Sequence, residues 1–174
     1  KSQTTVILSG TENWSREKEF IAEAMLDVLR IKLRERIRED LGGTYGVRIA
    51  GNFSRYPRER YQINISFGSN PERVEELTKE IFVQLDSLQN FGTDSIHLNK
   101  VKEIDLNELE TNLKENDFWL DQLESYYFMD ENPSAILKSA EMIQKLQLED
   151  IQSAAREYLD TQNYVRITLY PQDN

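Results

Sequence analysis

The sequence predicts an α+β fold, a mainly antiparallel sheet covered on one face by helices, in the order β-α-β-β-α-α-α-α-β. Apolar and polar residues alternate over residues 47–53, 61–67 and 165–170, which is the period of half-buried strands. Helical apolar spacing fills residues 15–41 and most of 70–159. Because a short loop joins the second and third strands, they should pair as an antiparallel hairpin, and the helices must then cover its apolar face.

The first quarter of the chain predicts a strand followed by a long helix. Residues 5–9 are rich in β-branched side chains and are closed by Gly10, as expected of a buried strand. Ser15 is a suitable N-cap for the helix, which should persist to about residue 41. The apolar residues in the second half of this helix recur every four positions: Leu29, Leu33, Ile37 and Leu41.

Polar side chains of the strands should share the face that no helix covers. That face is either ordinary surface or the wall of a chamber. Its predicted members are Arg48, Asn52, Gln62, Asn64, Ser66, Arg166 and Thr168.

The second half of the chain predicts four helices and a closing strand. Asn70 and Pro71 combine a capping side chain with proline at the first helical position, which predicts a helix over residues 70–91. The next helix should kink or break near residues 115–117, where the apolar period slips. Two further helices are predicted before a terminal strand that Pro171 stops. The aromatic-rich residues 118–128 should contribute mainly to the core, because aromatic side chains bury large areas.

Composition indicates a single globular domain, residues 1–174, and excludes several functions. The net charge of −10 argues against nucleic-acid binding, which needs a basic face. The chain has no cysteine, so disulfides and thiolate metal sites are excluded. No apolar run approaches the ~20 residues of a membrane span. Because the sequence begins at Lys1, without an initiator methionine, and enters the first predicted strand by Thr5, we expect an excised domain or processed piece of a longer chain.

The candidate catalytic residues do not form a complete site. A zinc peptidase needs at least two imidazoles together with carboxylates, and His97 is the only histidine. At the start of a polar helix, His97 is expected to be solvated. We therefore expect the isolated domain to hold no metal or other cofactor and to be inactive alone.

A helix-to-strand corner is the most specific functional feature. Arg38 lies near the end of the long helix, a glycine pair follows, and Tyr45 precedes the strand over residues 47–53. A guanidinium and a phenol on such a turn could hold a peptide carbonyl or stabilise an oxyanion. The competing interpretation of Arg38 is a solvated arginine on a charged helix. Tyr45 would share the core face of the strand unless the strand begins after Gly46 or a bulge turns the ring outward.

This corner closely resembles that of the insulinase/pitrilysin-type zinc peptidases, and the likeness covers essentially the whole chain. Its specific part runs from Leu33 to Val47, LRERIREDLGGTYGV. The supporting features are Phe67-Gly68 at the end of the third strand, the helix that begins Glu149-Asp150-Ile151, and the closing strand from Tyr164 to Pro171.

The resemblance implies the C-terminal, non-zinc-binding half-domain of such a peptidase. Family members build a clam-like chamber from duplicated α+β domains, of which one half carries a His-x-x-Glu-His zinc motif. This chain lacks that motif, so Arg38 and Tyr45 would contact the substrate backbone and stabilise the tetrahedral intermediate from the other half. Zinc would lie in a partner domain of the same or a companion chain. The implied substrate is a peptide or protein, and the implied compartment is the bacterial periplasm.

Two other functions remain open from the sequence. The chain could be a non-catalytic scaffold or processing-complex subunit that shares this fold. It could also be an unrelated α+β binding module, if the likeness at Arg38 and Tyr45 is accidental. A His-x-x-Glu-His motif upstream in the parent gene, or in an adjacent gene, would favour the peptidase.

Overall fold

The protein is described by a computed structural model that covers residues 1–40 and 46–172, without the side chains of residues 38–40. Its elements are β1 (Ser2–Thr11), α1 (Arg16–Leu33), a π-helical segment (Arg34–Asp40), β2 (Val47–Ser54), β3 (Arg60–Ser69), α2 (Val74–Phe91), α3 (Ser95–Asn112), α4 (Asn116–Phe128), α5 (Ser139–Lys145), α6 (Leu148–Tyr158) and β4 (Tyr164–Leu169). Short 3₁₀ turns precede α2 and α5. The α+β class is confirmed. The interruption expected near residues 115–117 is a complete break, so five α-helices rather than four lie between β3 and β4.

The chain divides into two compact units. The first comprises residues 1–94 and 148–174, and the second comprises residues 95–147. The first unit holds the four described strands with α1, α2 and α6, while the second holds α3, α4 and α5.

The sheet of the first unit is antiparallel throughout, in the order β2-β3-β1-β4. The helices α1, α2 and α6 pack on one another, and α1 and α6 also contact the sheet. Gly51 shows how closely α1 approaches β2: a Cβ there would lie 2.6 Å from Leu26 Cδ1. The strand residues that face this helical layer are almost fully buried: Val6, Leu8, Ile49, Ile63, Ile65 and Phe67.

β1 is longer than the five-residue strand that the sequence predicts. It pairs with β3 over its whole length and with β4 over residues 3–8, so its backbone bonds on both sides. The polar residues at its start, Ser2 and Thr4, lie on the same face as Val6 and Leu8 and are buried with them. The Thr4 and Thr168 hydroxyls share a hydrogen bond of 3.1 Å.

The two faces of β4 are the reverse of the prediction. Residues directly opposite one another in a sheet share a face, and Arg166 stands opposite Val6 while Thr168 stands opposite Thr4. Arg166 and Thr168 therefore lie on the helix-covered face, and their assignment to the open face was wrong. The guanidinium of Arg166 donates two hydrogen bonds to Glu75 on α2, at 2.8 and 2.9 Å. The charged side chain of β4 is therefore paired on this side of the sheet, while the apolar side chains at the alternate positions are exposed.

The other predicted members of the open face are confirmed. Arg48 and Asn52 on β2 are exposed, as is Gln62 on β3, and each alternates with a residue buried against the helices. Asn64 and Ser66 lie on the same side of β3 and are half-buried.

In the second unit, the expected burial of the aromatic stretch is partly wrong. Tyr126 on α4 is buried, but the next two residues, Tyr127 and Phe128, are exposed. Consecutive residues on an α-helix point about 100° apart, so three adjacent aromatics cannot share one buried face. None of the helices described here combines the length and apolar character needed to cross a membrane.

Candidate functional site

An open cleft of about 740 Å³ lies where β1 and β2 begin and β3 ends. Three of its polar side chains project from the open face of the sheet: Gln3, Arg48 and Ser66. The cleft also includes Gly46, whose φ of 156° is rarely adopted by residues with a side chain. We call this feature the corner cleft.

The corner cleft is basic although the chain as a whole is acidic. Among the residues that the structure describes, its lining contains the basic side chains of Lys1 and Arg48 and no acidic one. Ser66 Oγ is 3.0 Å from the Thr5 hydroxyl, which orients it within the sheet face. Such a lining favours ligands that present oxygen acceptors, including peptide carbonyls and carboxylates.

The helix that leads to the corner is held against the rest of the first unit. Leu29, Leu33 and Ile37 are fully buried, which confirms the predicted four-residue spacing as far as Ile37 in the π-helical segment, and Leu41 lies outside the described residues. In that segment Arg36 Nε donates a 2.8 Å hydrogen bond to Glu80 on α2. π-helical turns are rare and occur frequently at functional sites.

A further hydrogen bond connects this helix to the strand that follows the corner. Arg30 pairs with Asp27 and also donates from Nη2 to the backbone carbonyl of Ile49 on β2, at 3.3 Å. Both arms of the corner, α1 and β2, are therefore linked directly to each other.

The two predicted site residues belong to this corner but are not fully described. Arg38 lies on the backbone of the π-helical segment, and its side chain is outside the described residues, as is all of Tyr45. β2 begins at Val47, after Gly46, which is one of the two arrangements that would free Tyr45 from the core face. The roles of Arg38 and Tyr45 stay predictions.

Gln3 is a cleft residue that the sequence analysis missed. The first strand was predicted to begin at residue 5, because Ser2 and Thr4 are polar and hide the alternation. The signal that could have found it is the spacing of Thr4, Val6 and Leu8, which places Gln3 on the opposite, open face.

The opposite end of β1 leads into a buried acid–phenol pair. Glu12 is only 8% exposed, and its Oε2 accepts a 3.0 Å hydrogen bond from the hydroxyl of Tyr158, while Oε1 is buried without a partner. Burial raises the pKa of Glu12 above its ordinary value, and the Tyr158 hydrogen bond opposes that rise. Burial, together with this same carboxylate, also raises the pKa of Tyr158. Phe53 and Tyr61 pack edge-on against the Tyr158 ring, so the pair belongs to the core.

Metal-ligating side chains do not cluster in the described part of the chain. No group of three or more His, Cys, Asp or Glu residues is placed there to hold a metal ion. His97 is half-buried near the start of α3. Zinc ligands are therefore not assigned to any of the described residues.

Several solved protease structures share this fold. The periplasmic protease PqqL from Escherichia coli superposes with a TM-score of 0.84 at 17% identity, over 98% of this chain and 19% of its own. A protease from Helicobacter pylori gives 0.77 at 15% identity, over 98% and 41%. The peptidase M16 inactive domain from Pseudomonas fluorescens gives 0.74 at 21%, over 97% and 41%. At these identities the likeness shows the fold alone, and this chain spans about a fifth of the PqqL chain.

Sequence comparison adds the family. No curated protein matches the chain significantly. The family model described as the peptidase M16 inactive domain matches residues 3–104, which is more than half of the chain. The matched region contains β1, the long helix, the corner and the β2–β3 hairpin. The resemblance drawn from the sequence is thus confirmed, and the chain belongs to the family of the peptidase M16 inactive domain.

Proposed function

We propose that this chain is the C-terminal, non-zinc half-domain of a zinc metalloendopeptidase, with residues 1–174 forming one domain of a longer parent chain. It supplies contacts to the substrate backbone and to the transition state through Arg38 and Tyr45. The zinc and the general base belong to a partner domain, in the same or a companion chain, and the isolated domain hydrolyses no peptide.

The observation that carries the proposal is the position of the corner beside a basic cleft. Gly46 follows Tyr45 directly in the sequence and lines the corner cleft together with Arg48 and Gln3. These groups lie at the edge of the open sheet face, which α1, α2 and α6 leave uncovered. A peptide that crosses this face would meet N–H donors and cations at the end where Arg38 and Tyr45 are attached.

The chemistry assigned to the pair is stabilisation of negative charge. When water attacks a peptide carbonyl, the carbonyl oxygen becomes an oxyanion, and fixed donors aimed at it lower the barrier. The Tyr45 hydroxyl and the Arg38 guanidinium are both donors, and arginine keeps its charge at any physiological pH. Neither group has to take up or release a proton in this role.

The test is mutation of both residues in the full-length parent protein. Arg38→Ala and Tyr45→Phe should each lower kcat/KM by about 10²–10³, or roughly 2.7–4 kcal/mol, as expected for loss of one oxyanion donor. Zinc content and melting temperature should stay unchanged. Tyr45→Phe is the sharper change, because it keeps the ring and removes only the hydroxyl.

Matched controls separate this role from a general effect of mutation. Arg34 is exposed, four residues earlier in the π-helical segment, and Arg34→Ala should leave kcat/KM unchanged. Tyr127→Phe, on α4, serves the same purpose for the phenol. Full activity in Tyr45→Phe and Arg38→Ala would reject the catalytic role and leave a scaffold of the same fold.

A further inference from the structure

The outer side of α4 carries three exposed apolar side chains, which we call the α4 stripe. Leu120 and Tyr127 are 65% and 70% exposed, and Leu123 between them is 38% exposed. Positions three and four residues apart lie on one side of an α-helix, so the three side chains form a single row. At a rise of 1.5 Å per residue, the row extends about 10 Å. Exposed apolar residues are usually scattered singly, whereas a contiguous set indicates a contact surface.

Contacts on the inner side of α4 determine which residues face outward. Tyr126 is buried, and its backbone carbonyl accepts a 2.9 Å hydrogen bond from the N–H of Glu131. Trp119 Nε1 donates a 3.0 Å hydrogen bond to the carbonyl of Leu113, and the Trp119 ring packs edge-on against Phe118. Turning the α4 stripe inward would expose Tyr126 and break the Trp119 hydrogen bond. The helix is therefore held so that the stripe faces away from the core of its own unit.

Three carboxylates, which we call the acidic row, lie beside the α4 stripe. Asp117, Asp121 and Glu124 follow one another at intervals of four and three residues, so they also share one side of the helix. At about 100° per residue, this side is next to the stripe and opposite the buried Tyr126. All three are exposed, and within the described part of the chain no salt bridge neutralises them.

The surroundings of α4 are strongly negative. From residue 115 to residue 137 the sequence has no lysine, arginine or histidine, and it has six acidic residues: Glu115, Asp117, Asp121, Glu124, Asp130 and Glu131. These six contribute a charge of −6, while the net charge of the whole chain is −10. Lys114, which precedes the segment, pairs with Glu110 at 3.0 Å. A surface of this kind attracts cationic groups over about 8 Å at physiological ionic strength.

A second copy of the chain and a lipid surface are poorer occupants of the α4 stripe. Two copies that paired through α4 would bring their acidic rows close together, and like charges repel. Helices that lie on membranes carry lysine and arginine beside their apolar side chains, because many membrane surfaces are anionic. The acidic row disfavours both arrangements. A helix that is apolar on one side and basic beside it matches both features of α4.

We propose that α4 is a docking surface for a basic amphipathic helix of a partner protein. Apolar side chains of that helix, spaced three and four residues apart, cover the α4 stripe. Its lysine or arginine side chains pair with the acidic row. The apolar contact supplies affinity, while the charges select a basic partner and speed its association. The inference does not depend on the roles proposed for Arg38 and Tyr45, because α4 belongs to the other compact unit.

The experiment measures binding of a helical peptide to the 174-residue chain by fluorescence anisotropy. The probe is a labelled peptide of about 18 residues, or five helical turns, with leucines along one side, lysines beside them and alanine elsewhere. One control peptide has the same composition with the leucine positions scrambled, and another has glutamate in place of every lysine. The probe should bind with a micromolar Kd, and each control peptide should bind at least about tenfold more weakly.

Matched leucine variants assign the binding to α4. Leu120→Ala should weaken binding of the probe about five- to tenfold, as expected when part of a leucine contact is lost. Leu169→Ala makes the same change at a leucine of β4 that is 66% exposed, and it should bind as wild type does. Because both leucines are exposed, both variants should fold, which circular dichroism and urea midpoints would verify.

Charge variants test the acidic row. Asp121→Asn combined with Glu124→Gln should weaken binding about two- to tenfold at low ionic strength, and the difference should shrink as salt is added. Glu72→Gln combined with Asp86→Asn removes the same number of charges from exposed residues of the other unit. This control should bind nearly as wild type does.

Several results would overturn the inference. Equal binding of the probe by Leu120→Ala and wild type would reject α4 as the surface, and so would no binding at about 1 mM probe. Equal binding of the scrambled peptide would show charge attraction without a helical contact. A wild-type dimer by sedimentation that Leu120→Ala converts to monomer would make the stripe an interface between copies. Binding to phosphatidylcholine–phosphatidylglycerol vesicles that Leu120→Ala abolishes would make it a membrane contact. None of these results bears on the proposed function, which Arg38→Ala and Tyr45→Phe test separately.

Discussion

The buried pair of Glu12 and Tyr158 gives the sharpest prediction about stability. Tyr158→Phe keeps the ring and its edge-on contacts with Phe53 and Tyr61. It removes only the hydroxyl group, which donates a 3.0 Å hydrogen bond to Glu12 Oε2. The variant therefore tests a single hydrogen bond to a carboxylate that already has one oxygen without a partner.

The magnitude follows from the burial of both groups. A hydrogen bond to a charged group contributes about 1.5–3 kcal/mol, and removing the donor leaves the carboxylate to bear its desolvation. For a chain of this size, each kcal/mol corresponds to about 2–4 °C in melting temperature. We expect Tyr158→Phe to unfold about 3–12 °C below wild type at pH 7.

The stability that Tyr158→Phe loses should be smaller at low pH than at pH 7. The folded-state pKa of Glu12 is raised above 4.5, mainly by burial. Protonated Glu12 therefore favours the folded state below pH 4.5, and that contribution disappears as the pH rises through the raised pKa. Below pH 4.5 Tyr158 faces a neutral carboxyl, and the loss in Tyr158→Phe should fall to about 0.5–1.5 kcal/mol.

Urea unfolding monitored by circular dichroism at pH 4 and pH 7 measures both values. Tyr127→Phe, which removes an exposed hydroxyl, is the matched control and should unfold as wild type does at each pH. A loss in Tyr158→Phe that is the same at both pH values, or no larger than the control's, would refute the assignment of a buried charged hydrogen bond.

Two further predictions concern a half-buried carboxyl group and a closely packed glycine. Burial, assisted by the nearby Glu108, raises the pKa of Asp105 on α3 to about 6. The protonated form favours folding below pH 3.8, and that contribution is lost as the pH rises through about 6. Asp105→Asn should therefore be more stable than wild type at pH 8, by up to roughly 3 kcal/mol at about 1.4 kcal/mol per pKa unit. The measurement is the urea midpoint of Asp105→Asn and of wild type at pH 4 and at pH 8. A difference between the two proteins that is the same at both pH values would contradict this prediction. Gly51→Ala should cost about 1–3 kcal/mol, because the added Cβ would lie 2.6 Å from Leu26 Cδ1 and 2.7 Å from Phe53 Cε2. At Gly68, where the nearest atom would be 3.5 Å away, the same change should be nearly neutral in thermal melts; equal effects at both glycines would show that close packing is not the cause.

Periodicity in the sequence was sufficient for the class of fold and for most elements. Strands β2 and β3 alternate strictly, and their buried residues, such as Ile49 and Ile63, are the ones that the pattern predicts. The break between α3 and α4 also follows from the pattern, because the apolar spacing slips where the helix ends. Apolar spacing is a property of a single helix or strand, so it can be recognised in the sequence without knowing which elements pack against it.

The sequence also predicted a corner between the long helix and β2, because the residues that form it are close along the chain; the roles of Arg38 and Tyr45 there stay predictions. The residues that surround the corner were not all predicted from the sequence. Gln3 reaches the cleft only because β1 pairs on both sides and extends back to Ser2. Pairing between strands that are far apart in sequence determines that extension, and the local spacing of Thr4, Val6 and Leu8 indicates only the face on which Gln3 lies.

The orientation of β4 was decided by tertiary contacts alone. Alternation predicts that Arg166 and Val165 lie on opposite faces, but it does not determine which face meets the helices. The observed orientation brings together Arg166 and Glu75, which are 91 positions apart, and the hydroxyls of Thr4 and Thr168, contacts that no local pattern predicts. An edge strand allows this outcome, because it has a neighbouring strand on one side only and its apolar side chains can remain partly exposed. Sequence thus determined that β4 has an apolar and a polar side, and the tertiary structure determined that the apolar side faces outward.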